Sequence, residues 1–116
     1  MSAIQIYNKQ GQPIDNDEYV RLLGDKDYKK IALTKTKNGF RVSTVWLGLD
    51  HAFGGPGPLI FETMVFMGET FSDKDCERYA TEADALTGHA AMVAKWEKKH
   101  TSWTLHLKAP FLRRSI

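Results

Sequence analysis

The sequence predicts an α+β domain, in which an antiparallel β-meander sheet is covered on one face by a long helix from the C-terminal half of the chain. Three strand-like runs, near residues 28 to 36, 40 to 49 and 59 to 67, follow one another with short connections. A helical pattern then extends from about Glu82 to Lys99. Neighbouring strands with short connections pair in antiparallel fashion, and an amphipathic helix buries its apolar side on such a sheet.

Length and composition limit the class of protein. A chain of 116 residues that is 42% hydrophobic and 26% charged is expected to fold as a single α+β domain over residues 1 to 116. Its 16 basic and 14 acidic residues are spread along the sequence, so they create no field that favours nucleic acid or a membrane. Cys76 is the only cysteine, which excludes an intramolecular disulfide and favours a reducing compartment. No secretory signal or membrane-spanning run is predicted, so we expect a cytosolic protein.

The N-terminal third is predicted to contain a short strand and a short helix. Residues 4 to 7 alternate in polarity and lead into a turn rich in Gly and Pro. Asp15, with Glu18 three places later, has the pattern of a helix N-cap, and Gly24 offers a left-handed stop. These signals predict a helix over residues 16 to 23. Two apolar residues would form its buried side: Val20 and Leu23.

The first hairpin of the meander is predicted at Asn38-Gly39, because this dipeptide tolerates positive φ at both central positions of a type I′ turn. With Lys37 and Phe40 as the first pair, one face of the two strands becomes the predicted core face. That face carries Ile31, Leu33, Lys35, Val42, Thr44 and Trp46. The opposite face carries Ala32, Thr34, Arg41, Ser43 and Val45. The run at 59 to 67 is apolar on both faces, which predicts a central strand.

The second half of the chain is predicted to run from a loop through an edge strand into the long helix. Residues 68 to 77 are polar and predict a loop, and residues 78 to 80 predict a short edge strand. Thr81 with Asp84 marks the helix start. The predicted apolar stripe is Ala85, Leu86, His89, Met92, Val93 and Trp96. We expect Trp46 and Trp96 both to lie in the core between helix and sheet. Residues 102 to 107 alternate and predict a further strand.

The loop from Asp50 to Pro58 is the predicted binding surface. Ionisable, glycine and aromatic residues gather at a bend that needs only a short connection to close. The predicted binding residues are Asp50, His51, Phe53, Gly54 and Gly55. The structural alternative is that Asp50 caps the amides of the loop and Phe53 folds back to close the end of the sheet.

The same region carries residues typical of two other kinds of site. Asp50, His51 and Glu62 have the chemistry of a small metal-dependent or acid/base enzyme. Adjacent residues of a strand point to opposite faces, so Asp50 and His51 reach one centre only if the strand ends between them. The glycine-rich loop leads into a strand and not into a helix, which disfavours phosphate binding. The sequence therefore predicts no catalytic residue, no metal ligand and no cofactor.

It also predicts that His89 is a hydrogen-bonded core histidine and that Cys76 is inert.

The middle of the chain, about residues 40 to 90, carries a distinctive pattern of residues. It comprises TVWLGLDH at 44 to 51, GPLIFETMVF at 57 to 66, ERYAT at 77 to 81 and ALTGH at 85 to 89. This pattern resembles a family of small uncharacterised proteins of phages and prophages. The resemblance implies a phage-type accessory protein in the cytosol of a bacterial host, and it implies no activity, cofactor or catalytic residue.

Together, these observations favour a binding protein that engages a host or phage protein without catalysis. The enzyme based on Asp50, His51 and Glu62 is one alternative. A nucleic-acid-binding or virion-associated structural protein is another, with the Thr/Ser/Arg face of the hairpin as the nucleic-acid surface, although that face lacks a basic stripe. Self-association is a further alternative, because the C-terminal tail can add a strand to the sheet of a second copy. Four tail residues are candidates for an interface: Trp103, Phe111, Arg113 and Arg114.

Overall fold

The structure, a computed structural model, describes residues 5–50, 55 and 57–99. In chain order, its elements are β1 (Ile6–Tyr7), β2 (Pro13–Ile14), α1 (Asn16–Leu23), α2 (Lys26–Lys29), β3 (Lys30–Lys35), β4 (Phe40–Trp46), β5 (Phe61–Met67), β6 (Asp73–Tyr79) and α3 (Glu82–Glu97). Strands β3 to β6 form a four-stranded antiparallel meander in sequence order, and α3 packs across one face of it. The predicted α+β fold is therefore confirmed. Within the described residues, no helix has the length and apolarity that crossing a membrane requires.

Helix α1 begins where the sequence predicts, because the Asp15 carboxylate accepts a hydrogen bond of 2.8 Å from the Glu18 amide. The prediction of a left-handed stop at Gly24 is wrong, since its φ is −77°. Instead, the chain turns into α2, whose first amides are capped by Asp25. The N-terminal hairpin of β1 and β2 packs beside these helices.

The buried side of α1 also differs from the prediction. Val20 and Leu23 are exposed, and Leu22 is buried instead. The ring of Tyr19, one position before Val20, packs edge-on against Trp46 with ring centroids 5.9 Å apart. In a helix of eight residues, a spacing of three places fits either pair of apolar residues. Packing against Trp46 selects Tyr19 and Leu22 as the buried pair. The sequence pattern predicted Val20 and Leu23.

The β3–β4 hairpin has a longer turn than predicted. Its closing hydrogen bond runs from the Thr36 amide to the Phe40 carbonyl over 2.8 Å, and Gly39 has a φ of 96°. This is the hairpin in which a residue in the left-handed region ends a three-residue turn. The register is therefore shifted by one residue, with Thr34 opposite Val42 and Leu33 opposite Ser43.

The register shift corrects the predicted faces of β3. Ala32 and Thr34 lie on the same face as Val42 and Thr44, under α3, whereas Leu33 lies on the opposite face and is 46% exposed. Tyr28 is also not in a strand, because α2 occupies that position and β3 starts two residues later. The turn is fixed from outside the hairpin. The Asn38 side-chain amide donates hydrogen bonds to the carbonyls of Trp96, at 2.8 Å, and of Lys99, at 2.7 Å.

Strands β4 and β5 carry the core as predicted. The inward residues of β4 are buried: Phe40, Val42, Thr44 and Trp46. The inward residues of β5 are fully buried: Phe61, Thr63 and Val65. β5 lies between β4 and β6, which confirms its predicted central position. Both strands are shorter than predicted, because β4 ends at Trp46 and β5 starts at Phe61.

The edge strand β6 is longer than predicted, since it covers much of the stretch expected to be a loop. Its backbone pairs with β5 although its residues are mostly polar, as is common for an exposed edge. Helix α3 starts at the predicted cap, where the Thr81 hydroxyl accepts from the Asp84 amide at 3.0 Å. Ala85, His89 and Met92 are buried, but Leu86 is 49% exposed and does not belong to the packed stripe.

The core has two apolar clusters under α3. The first comprises Leu22, Trp46, Ile60, Phe61 and Ala85. The second comprises Phe40, Val42, Val65 and Met92, with Trp96 packed against it. Both tryptophans therefore contribute to the core, as predicted. Between the clusters, three polar residues are buried: Thr44, Thr63 and His89. The strand predicted at residues 102 to 107 and the tail residues Trp103, Phe111, Arg113 and Arg114 lie outside the described residues.

Candidate functional site

The predicted loop surface is anchored at its start by Asp50. This exposed carboxylate accepts a hydrogen bond of 2.9 Å from the amide of Leu59, across the base of the loop. The contact is the one that the structural alternative predicts for Asp50. Gly55 is exposed, whereas His51, Phe53 and Gly54 lie outside the described residues. A binding role for this loop stays a prediction.

Glu62 has its own partners on the sheet face away from α3. Its carboxylate forms an ion pair of 3.0 Å with Arg78, directly across β5 and β6, and accepts a hydrogen bond of 3.5 Å from the Cys76 thiol. Asp50 and Glu62 are thus held by different groups. Among the residues that the structure describes, no group of three His, Cys, Asp or Glu side chains could hold a metal ion.

The Cys76 thiol is held in its protonated form. Burial, reinforced by the negative charge of Glu62, raises the pKa of Cys76 to about 11. A thiol with this pKa is a poor nucleophile and a poor metal ligand at neutral pH. The raised pKa favours an inert thiol, and the inertness of Cys76 stays a prediction.

His89 lies in the centre of the core, and both of its ring nitrogens have partners. Nε2 is 2.9 Å from the Thr34 hydroxyl, and Nδ1 is 2.7 Å from the Thr44 hydroxyl. Thr44 in turn contacts the hydroxyl of Thr63 at 2.5 Å. Burial lowers the pKa of His89, because a charged imidazolium is poorly solvated there. The prediction of a hydrogen-bonded core histidine is confirmed.

A groove between β6 and α3 lies beside this buried layer. Its cavity of about 280 Å³ is lined by Glu77, Tyr79, Gly88, Ala91, Met92 and Lys95. The Tyr79 ring lies so close to the α3 backbone that a Cβ atom on Gly88 would be 2.2 Å from it. Below the groove, the Asp75 carboxylate accepts from Lys95 at 2.7 Å and from the Trp96 indole at 2.9 Å. These two hydrogen bonds lower the pKa of Asp75.

Sequence reasoning missed this groove because it assigned most of β6 to a loop. One signal was available at Gly88. An isolated glycine inside a strong helical pattern costs about 1 kcal/mol relative to alanine, so its presence often has a packing reason. Here the reason is the close approach of Tyr79.

The sheet face opposite α3 carries exposed and half-buried apolar side chains, and we call this surface the uncovered patch (Leu33, Met64, Phe66 and Phe71). One row of residues crosses the four strands on this face: Leu33, Ser43, Met64 and Cys76. Phe71, in the turn after β5, is 88% exposed. No described helix packs on this face.

Arg41 organises one end of the uncovered patch. Its guanidinium lies 4.7 Å from the centroid of the Phe66 ring and 5.9 Å from that of Phe71. It also donates hydrogen bonds to the carbonyls of Gly68, at 2.6 Å, and Thr70, at 3.1 Å. The turn after β5 is therefore tied to the sheet, with the Phe71 ring presented beside it. No sequence pattern predicts this arrangement, because it depends on the pairing of β4 with β5.

Three cations on this face lie within ion-pair distance of a glutamate. Arg41 and Lys35 lie 3.5 Å and 3.6 Å from the Glu69 carboxylate, and Arg78 is paired with Glu62. The apolar groups of this face thus lie beside ion-paired arginine and lysine side chains.

Comparison with known proteins adds no relative: no family model, no curated protein and no solved structure matches this chain. The resemblance to phage and prophage proteins stays a prediction.

Proposed function

We propose that this chain is a small phage-type accessory protein that acts in the bacterial cytosol by binding a host or phage protein, without catalysis. The binding surface in this proposal is the uncovered patch. The observation that carries it is the exposure of Leu33 and Phe71 on a sheet face over which no described element packs. Small domains normally bury such groups between layers, and exposed apolar patches commonly mark protein interfaces.

The charge distribution favours a protein partner over a nucleic acid. Nucleic-acid binding depends on cations that are free to neutralise phosphates. On this face, Arg41, Lys35 and Arg78 are each within ion-pair distance of a glutamate. Aromatic and methionine side chains, in contrast, are enriched at the centres of protein interfaces.

The shape of the face fits an amphipathic helix of the partner. Four strands at a spacing of about 4.8 Å and seven residues at about 3.4 Å each give a surface of roughly 19 by 24 Å. A helix with a diameter of about 10 Å can lie along such a surface as a third layer, as α3 does on the other side. Contact areas of this size belong to transient complexes, so we expect modest affinity.

The proposal is tested by comparing two exposed leucines. Leu33 lies in the patch and Leu86 lies on α3, with exposures of 46% and 49%. Full-length Leu33→Ser/Phe71→Ser and Leu86→Ser variants are used to capture partners from the cytosol of a bacterial host. Each captured protein is then purified and titrated against each variant. We expect the wild type and Leu86→Ser to bind one protein equally, and the double variant to bind it at least tenfold more weakly.

A third variant distinguishes binding through the predicted loop surface from binding through the uncovered patch. Asp50 lies at the end of the sheet opposite Phe71, because the loop joins β4 to β5 and Phe71 follows β5. Loss of binding in Asp50→Ala, with unchanged binding by the Leu33→Ser/Phe71→Ser variant, would move the site to the loop. If all variants bound the partner as tightly as the wild type, neither the uncovered patch nor the loop would be the binding site.

A further inference from the structure

The outer edge of β6 is open for pairing. β6 pairs with β5 on one side, and among the described strands no other pairs with it. The groove between β6 and α3 lies beside this open edge. It is on the α3 side of the sheet, so it is separate from the uncovered patch and from the function proposed for that patch. An open edge can accept an extended segment of another chain as a further strand.

Three side chains of β6 lie on the α3 side of the sheet, because they are opposite the inward residues of β5: Asp75, Glu77 and Tyr79. Asp75 is bound to Lys95 of α3 at 2.7 Å. The Tyr79 ring lies against the α3 backbone at Gly88. Glu77, between the two, is exposed, and no cation of the described residues lies within ion-pair distance of its carboxylate.

We propose that β6 binds an extended segment of a partner protein as a fifth strand of the sheet, and that a lysine or arginine of this segment enters the groove and pairs with Glu77. Residues directly opposite each other on neighbouring antiparallel strands have Cβ atoms about 5 Å apart, which is close enough for such an ion pair. The sheet already contains one contact of this kind. Arg78 and Glu62 lie opposite each other on β6 and β5, and their side chains are 3.0 Å apart.

The walls of the groove favour a long cationic side chain. Met92, Ala91 and the Tyr79 ring offer apolar surface to its methylene stem, and Glu77 offers a negative charge to its head. The cavity of about 280 Å³ has room for one such side chain. Lys95 also lines the groove, but its ammonium group is already paired with a carboxylate of β6. A glutamate in the same place would meet Glu77 with like charge, so the groove selects its occupant by charge.

The test is an NMR titration of the full-length, isotope-labelled protein with two capped peptides of five residues. The first peptide is Val-Thr-Lys-Thr-Val, which directs its lysine and both valines to one side when it is extended. The second has glutamate in place of the lysine. We expect the lysine peptide to shift the amide signals of β6 and of the groove residues of α3, and to bind about tenfold more tightly than the glutamate peptide.

Two pairs of variants assign the site. Glu77→Gln should reduce the preference for the lysine peptide to about twofold or less, whereas Glu97→Gln, at an exposed position of α3 outside the groove, should leave it unchanged. Ala91→Phe fills the groove and should weaken binding of the lysine peptide at least tenfold. Ala90→Phe makes the same change at an exposed position outside the groove and should not weaken it.

Equal binding of the two peptides by the wild type would overturn the proposal. The absence of any shift with the lysine peptide at millimolar concentration would overturn it too, as would shifts confined to the uncovered patch. A concentration-dependent dimer whose interface signals map to β6 would make a second copy the occupant of this edge and would also overturn it. The wild-type comparison of the two peptides decides the question even if Ala91→Phe does not fold.

Discussion

The two faces of the sheet are made by the same four strands, yet they treat polar groups differently. Under α3, the polar residues are buried and hydrogen-bond to one another, as His89 does with Thr34 and Thr44. On the opposite face, Arg41 and Arg78 are partly exposed and pair with glutamates or with backbone carbonyls. Packing therefore determines the residues of the covered face, whereas those of the uncovered face are less constrained by stability.

The largest effect is expected from Trp46 on the covered face. Trp46 is 2% exposed, packs against Tyr19 and Tyr28, and donates its indole hydrogen to the Tyr7 carbonyl at 3.0 Å. Trp46→Ala should lower the free energy of unfolding by about 3 to 5 kcal/mol, because it leaves a large cavity and unpairs a carbonyl. Urea unfolding measures the change. A variant as stable as the wild type would show that the covered face does not hold the fold together.

The next effect is expected at Gly88, where Tyr79 approaches α3. Adding a Cβ there places it 2.2 Å from the ring, so the ring or the helix must move. Gly88→Ala should lose about 1 to 3 kcal/mol through overpacking, offset by about 1 kcal/mol of improved helix propensity. Thr87→Ala, at an exposed position of the same helix, is the control and should not destabilise. A Gly88→Ala variant more stable than the wild type would contradict the close contact.

A smaller effect is expected from acid, through His89. The pKa of His89 is lowered in the folded protein, so the unfolded chain binds the proton first. Stability should therefore be fully present above pH 6.5 and decline as the pH falls below that value, until the folded protein is protonated too. Urea unfolding at several pH values between 8 and 5 measures the decline. His89→Gln should flatten it, and an equal slope in that variant would assign the decline to other groups.

The smallest effect is expected from Leu33, on the uncovered face. Leu33→Ser should change stability by no more than about 0.5 kcal/mol, because the side chain is 46% exposed and its removal opens no cavity. Thermal unfolding of this variant beside Trp46→Ala gives the contrast between the faces directly. A large loss of stability would mean that the uncovered face is covered in the intact protein.

The elements that the sequence predicts well are those whose pattern repeats over several residues. The alternation in β4 and β5, the caps of α1 and α3, and the role of His89 as a core residue are all confirmed. Each depends on groups that are near one another in the chain or on a strict period.

The features that the sequence did not predict depend on contacts between distant residues. The register of β3 is set by a turn that Asn38-Gly39 permits in more than one form, and the Asn38 contacts with α3 accompany the longer form. β6 is polar, so only its pairing with β5 identifies it as a strand. The groove at Tyr79 and the stacking of Arg41 on Phe66 and Phe71 arise from those pairings. No periodic sequence pattern indicates the groove or the Arg41 contacts.

The bond from the Asn38 side chain to the Trp96 carbonyl joins positions 58 residues apart, and it has a consequence for the order of folding. The meander forms between neighbours in the chain, so its hairpins close at low entropic cost. The attachment of the turn to the end of α3 requires the long chain segment between Asn38 and Trp96 to close, which costs more conformational entropy. We therefore expect this attachment to form after the transition state of folding, so that its loss speeds unfolding and leaves the folding rate nearly unchanged.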